Sequence, residues 1–127
     1  MVPVKRLYDW DTVKDFSQAI VVHLARTLPQ LFVAKSGPKN RVGRIFIDYL
    51  RNGFGATTAC AWSARARPGL GVSVPITWDE LAKVAGGAHW NVRNIHTRLD
   101  KGNELWRGYS KSATTLTRAM RGLGFRD

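Results

Sequence analysis

The sequence predicts an α+β domain in which a small antiparallel sheet is flanked by helices. Three observations carry this. Apolar residues recur at helical spacing over residues 11–28. A β-branched and aromatic run at 45–50 is followed by a turn and a second extended run at 56–65. Helical and extended segments do not alternate regularly along the chain.

The first helix rests on Val13, Phe16, Ile20, Leu24 and Leu28, which form one apolar stripe. Asp9 or Asp11 caps its start and Pro29 ends it. Residues 35–44 then read as a basic loop rich in turn formers. In the strand at 45–50, alternation puts Phe46, Asp48 and Leu50 on one face and Ile45, Ile47 and Tyr49 on the other. Asn52, Gly53, Phe54 and Gly55 form a turn, and the run at 56–65 returns antiparallel to the first strand. A second turn at 67–71 leads to an extended stretch at 72–76. Thr77 and Glu80 make a capping box, starting a short helix that Gly86 and Gly87 stop. Residues 88–111 carry mixed signals. A last helix spans 112–123, with Leu116, Met120 and Leu123 at helical spacing.

Composition limits the function. At 127 residues the chain fits one domain, and 44% apolar content supplies a core. No run approaches the ~18–20 apolar residues of a membrane helix. The N-terminus lacks the pattern of a secretory signal, so the cytoplasm is the expected compartment. A single cysteine, Cys60, rules out an internal disulfide and the Cys-rich zinc sites. With 20 Lys+Arg against 9 Asp+Glu, the net charge is +11. Phosphate polymers are the commonest partners of such a surface. The charge is concentrated between residues 35 and 67, where Lys35, Lys39, Arg41, Arg44, Arg51, Arg65 and Arg67 face one acid, Asp48. Most of these are arginines, whose planar fork matches phosphate oxygens.

Asp48 is the informative carboxylate. An acid inside an apolar strand is exposed on an edge, paired, or bound to a metal, and carboxylates suit Mg²⁺ or Mn²⁺. If the two strands pair, Arg51, Arg65 and Arg67 gather near one end of the hairpin. A metal carboxylate beside arginines suits a nucleoside triphosphate; the alternative is that Arg65 and Arg67 flank a turn in water. The Asp9-Trp10-Asp11 triplet is explained by helix capping. His23, His89 and His96 lack ligand spacing with Cys60, which itself reads as a small core residue. Trp62, Trp78, Trp90 and Trp106 read as core, with base stacking as the alternative. No P-loop or dinucleotide fingerprint is present.

Three segments carry a family resemblance: GRIFIDYLRNG from Gly43, ARARPG from Ala64 and VPITWDEL from Val74. They resemble the C-terminal part of the primase-polymerase domain of bacterial DNA ligase D, a member of the archaeo-eukaryotic primase superfamily, and the likeness runs from about Val2 to Leu123. The resemblance implies an RRM-like catalytic core and nucleotide addition at DNA ends in non-homologous end joining, with manganese or magnesium as the metal. It implies that Asp48 is the third metal carboxylate. Arg51, Arg65 and Arg67 would face the incoming nucleotide's phosphates, and Arg41 and Arg44 would form the basic approach to the motif; by their charge, Lys35, Lys39, Arg41 and Arg44 are expected to bind nucleic acid. The family's Asp-x-Asp strand and Ser-Gly-Gly-Lys-Gly-x-His segment are not in this sequence. One carboxylate cannot hold two metal ions, so the chain is expected to be a partial domain, inactive alone. Two alternatives stand beside that reading: a basic nucleic-acid-binding module without catalysis, and half of a split polymerase completed by another chain. Expected partners are DNA, a nucleoside triphosphate, and a second copy or a complementary half, with no membrane. The expected location is the bacterial cytoplasm, at the nucleoid.

Overall fold

A computed structural model describes residues 2–126. The chain divides into two compact units, one running up to Thr57 and resuming at Ala113, the other Thr58–Ser112.

The first unit is organised on helix α1, Trp10–Thr27. Asp9 is its N-cap: Oδ1 accepts the Thr12 amide at 2.7 Å, and this bond holds the Asp9 carboxyl below the usual carboxylate range. Leu28 closes the other end by donating its amide to the Leu24 carbonyl. The predicted stripe is only partly inward. Phe16 is buried, but Ile20 and Leu28 are exposed, and Val21 takes the second core position. Phe125 packs edge-on against Phe16 at 5.3 Å. Helix α3, Thr117–Leu123, contributes the buried Met120 and ends at Gly124, whose φ of 69° is the left-handed cap. It begins five residues later than the sequence suggests. Before it, Thr114 pairs in parallel with Val4, and the Tyr8 hydroxyl accepts the Leu116 amide at 3.0 Å.

The sheet corrects the sequence reading. Strand β1, Phe32–Val33, pairs with strand β2, Ile45–Phe46, and the pairing is parallel, with Phe32 opposite Ile45. The loop between them carries a 3-10 turn at Pro38–Arg41. The expected antiparallel partner at 56–65 forms no named strand. The cause lies in Asp48. Its Oδ1 accepts the Leu50 amide at 3.0 Å, so a ladder donor is captured by a side chain two residues back. The backbone then turns into a 3-10 segment, Leu50–Asn52, which packs on α1. Asn52 Nδ2 donates to Ser17 Oγ at 3.1 Å and Gln18 Nε2 to the Tyr49 hydroxyl at 3.2 Å.

The second unit contains the antiparallel pairing. Ala64 bridges Val72, and Gly71 bridges Asn91. Ser73 donates to the Ser63 carbonyl and Arg65 to that of Gly71, while Val72 donates to Trp90. Gly71 is buried where a Cβ would collide with the Gly87 carbonyl oxygen, so this approach requires glycine. Helix α2, Trp78–Leu81, has the predicted capping box on Thr77 and Glu80. The mixed region resolves into 3-10 segments, Ile95–Lys101, Glu104–Trp106 and Ser110–Ser112. Trp62, Trp90 and Trp106 are half-buried. Trp78 lies in water, and Cys60 is exposed at a turn its carbonyl makes with Ser63; neither is a core residue.

Candidate nucleotide and nucleic-acid interface

Asp48 follows β2 by two residues and is exposed. The Leu50 amide fixes one carboxylate oxygen, and the other lies 3.5 Å from Arg51 Nε. The pair keeps 44% and 59% of its side-chain surfaces in water, respectively. Such an ion pair contributes little to stability, ~0–1 kcal/mol, and both groups stay available to other partners. Arg51 is oriented a second time, because its Nη1 donates to the Thr57 carbonyl at 2.9 Å. An acid and a guanidinium are thus held side by side on a turn, each with a backbone contact.

The basic loop precedes them. Lys35, Lys39, Arg41 and Arg44 are all exposed, and none makes a side-chain hydrogen bond or ion pair among the described residues. Gly37 and Gly43 take φ values of 117° and 66° at the two sides of its 3-10 turn. The loop enters β2 directly after Arg44, so the cations lead along the chain to Asp48.

Arg65 and Arg67 belong to the second unit. They flank the hairpin turn that Leu70 closes by donating to the Arg67 carbonyl, and both are exposed. The adjacent strands expected to gather them beside Asp48 do not form, because β2 pairs with β1 and Ala64 pairs with Val72. Asp48 and Arg51 are the predicted site residues that the structure brings into contact.

A divalent ion needs more than this set supplies. Among the described residues, no group of three or more His, Cys, Asp or Glu side chains is placed to hold a metal. Asp48 fits as one oxygen ligand and not as a metal centre on its own.

Sequence reading missed the densest polar cluster. Arg98, only 4% exposed, makes two bonds to the Glu80 carboxylate, at 2.6 and 2.9 Å, and a third to the Pro75 carbonyl. Lys101 adds a bond to Glu80 at 2.9 Å, and the Arg98 guanidinium lies 5.3 Å from the Trp90 ring centre. Arg98 first, then the Thr77 amide and Lys101, hold the Glu80 carboxyl far below the ordinary range. The capping box was the only trace of it in the sequence. This cluster ties α2 to the 3-10 segment Ile95–Lys101.

Comparison with known proteins agrees with the motif reading. The family model for the LigD primase-polymerase domain matches residues 1–106. The multifunctional non-homologous end joining protein LigD of Pseudomonas aeruginosa is 50% identical over 95% of this chain, which covers 15% of that protein. The multifunctional LigD of Mycolicibacterium smegmatis is 32% identical over 70% of the chain and 12% of its own length. The bifunctional LigD of Bacillus subtilis is 26% identical over 74% of the chain and 15% of its own length. The chain therefore spans less than a fifth of the relatives it matches.

Proposed function

This chain belongs to the LigD primase-polymerase family, and we propose that it serves as the part of an end-joining polymerase domain that meets the incoming nucleotide and the DNA backbone. In this reading Asp48 is one of the carboxylates that hold a manganese or magnesium ion. Arg51, Arg65 and Arg67 take the phosphates of a nucleoside triphosphate. Lys35, Lys39, Arg41 and Arg44 take the phosphates of DNA. The remaining carboxylates come from another stretch of polypeptide, so this chain alone does not transfer nucleotides. Its place of work is the cytoplasm, on the bacterial chromosome.

One observation carries the reading: Asp48 is fixed by the Leu50 amide and stands beside Arg51 on an exposed turn. Its pairing leaves it far more exposed than Glu80, which shares its carboxylate with Arg98 and Lys101. The test is manganese-dependent nucleotide addition to a primed template. The purified chain should give none. Adding a polypeptide that carries the Asp-x-Asp and Ser-Gly-Gly-Lys-Gly-x-His segments should restore extension, and Asp48→Ala should abolish it. Extension by the chain alone, lost in Asp48→Ala, would overturn the dependence on a second polypeptide.

A second reading has its own support. Four exposed cations in one loop, none paired to an acid among the described residues, suit a nucleic-acid-binding module without catalysis. Salt-dependent DNA binding by a chain that no complementary polypeptide activates would favour it.

A further inference from the structure

The first unit exposes an aromatic pair that the nucleotide reading does not use. Trp10 opens α1, and Phe54 sits at the tip of the turn after the Leu50–Asn52 segment. Their rings meet edge-on, with centres 6.1 Å apart and planes at 66°. Yet Phe54 is 84% exposed and Trp10 57% exposed. Aromatic rings that touch each other but leave their faces in water are costly to maintain unless something covers them.

The turn beneath Phe54 is held firmly. Asn52 anchors its start to Ser17 on α1, the Ala56 amide donates to the Gly53 carbonyl, and Arg51 reaches past the tip to the Thr57 carbonyl. Lys14 runs along its other side: a Cβ at Gly53 would lie 3.4 Å from Lys14 Cδ. By helical spacing Trp10, Lys14 and Ser17 share one face of α1, while Asp11 and Asp15 fall on the next. The rings are therefore flanked by two cations, Lys14 and Arg51, with Asp48 engaged by Arg51.

The geometry points to a stacking platform for an unpaired nucleobase of a DNA strand, with Phe54 and Trp10 offering ring faces and Lys14 and Arg51 lying near the adjoining phosphates. Charge complementarity selects this occupant, since exposed aromatic rings beside cations on a chain of net charge +11 match a base joined to phosphate. The inference rests on the DNA-binding reading above and adds to it a contact to a base rather than to the backbone.

Fluorescence anisotropy tests it, with the full chain and three labelled probes: a single-stranded thymidine oligonucleotide, the same backbone without bases, and a blunt duplex. Phe54→Ala should weaken binding of the thymidine strand roughly tenfold, as loss of base stacking does, and leave the abasic strand and the duplex unchanged. The slope of log K against log salt should not move, because no phosphate contact is removed. Phe54→Leu keeps an apolar side chain at the tip without a ring, and should show a similar loss. Equal affinity of wild type and Phe54→Ala for the thymidine strand would overturn the platform, as would an equal loss on the abasic strand or the duplex. So would a variant that changes only the sedimentation of the chain, which would make the rings a protein contact. The two readings fail differently. Wild-type chain that binds none of the probes at low salt removes the DNA-binding reading and the platform together. Steep salt-dependent binding that ignores Phe54 removes the platform alone.

Discussion

Glu80 and Arg98, 18 residues apart in sequence, meet through two parallel hydrogen bonds, although only Glu80 had a local reason to be where it is. Glu80 completes the cap of α2, and the same carboxylate then receives a buried guanidinium. One side chain thereby satisfies a helix end and neutralises a charge that would otherwise sit unpaired. Removing Arg98 should be costly. Arg98→Ala should lower the urea midpoint of the second unit, because the ties from Glu80 and the Pro75 carbonyl to the 3-10 segment are lost. An unchanged midpoint would show that the cluster is effectively solvated.

The same pair sets a pH dependence. The Glu80 carboxyl is held below its ordinary value of 4.5, so the folded state favours the ionised form. That stability is present above pH 4.5 and is lost as pH falls through the folded value. Arg98 is shifted upward, so its contribution changes only in strong base and is constant in acid. In a Trp10→Phe background every remaining tryptophan lies in the second unit. Fluorescence-detected stability should then fall with acid below pH 4.5, and Glu80→Gln should flatten that slope while lowering stability at neutral pH. An unchanged acid slope would assign the titration to another carboxylate.

Two glycines should respond in opposite directions. A Cβ at Gly71 meets the Gly87 carbonyl, which belongs to backbone and cannot swing aside. Gly71→Ala should cost ~2–3 kcal/mol, as overpacking does. Gly122 lies inside α3 with open space around it, so Gly122→Ala should add ~0.5–1 kcal/mol through helix propensity. Urea midpoints of the two variants on either side of wild type would check both.

DNA binding should weaken with salt. If Arg65 and Arg67 each touch a phosphate of a duplex, replacing both with Ala should reduce the magnitude of the slope of log K against log salt by about 1.8. Replacing Lys35, Lys39, Arg41 and Arg44 should reduce it further. Slopes that none of these changes alter would place the DNA contact elsewhere on the chain.

What the residues revealed in advance follows the range of the forces involved. α1, its Asp9 cap and the Thr77 capping box depend on neighbours within four positions, and all were legible. β2 was legible as an extended start, but not its early end, because the Asp48 carboxylate captures the Leu50 amide. The sheet partner was missed for a different reason. A parallel pairing through a basic loop leaves no turn signature, whereas a Gly-rich turn after Asn52 suggested a hairpin. At the candidate site, Asp48 and Arg51 were singled out together through a hairpin that does not form; their contact comes from the turn that puts them three residues apart. The burial of Arg98 and the contact of Trp10 with Phe54 depend on tertiary approach and had no local signal.

The last prediction concerns assembly. β1 and β2 are two residues each and, among the described residues, form a sheet of two strands, so each has one side without a neighbouring strand. Around them Leu31, Val42, Ile45 and Leu50 stand exposed, with Val42 79% and Ile45 59% in water. Open edges pair with other chains, and contiguous apolar surface seeks cover. The charge of +11 opposes self-association, but at physiological salt its reach is only ~8 Å. Apolar burial acts at contact and contributes roughly 25 cal/mol per Å² before the costs of association. A stable interface typically buries ~1,000 Å² or more, so these residues would form only its apolar centre. Sedimentation equilibrium at micromolar concentration should give a mass above the 14.2 kDa of one chain. Ile45→Lys should return it to a monomer by placing a charge on the exposed strand. A complementary polymerase polypeptide should compete for the same face and convert the assembly to a one-to-one complex. A cooperatively folded monomer that ignores the complementary polypeptide would show that these apolar residues are tolerated in water, and the expectation of a missing partner would lose its physical basis.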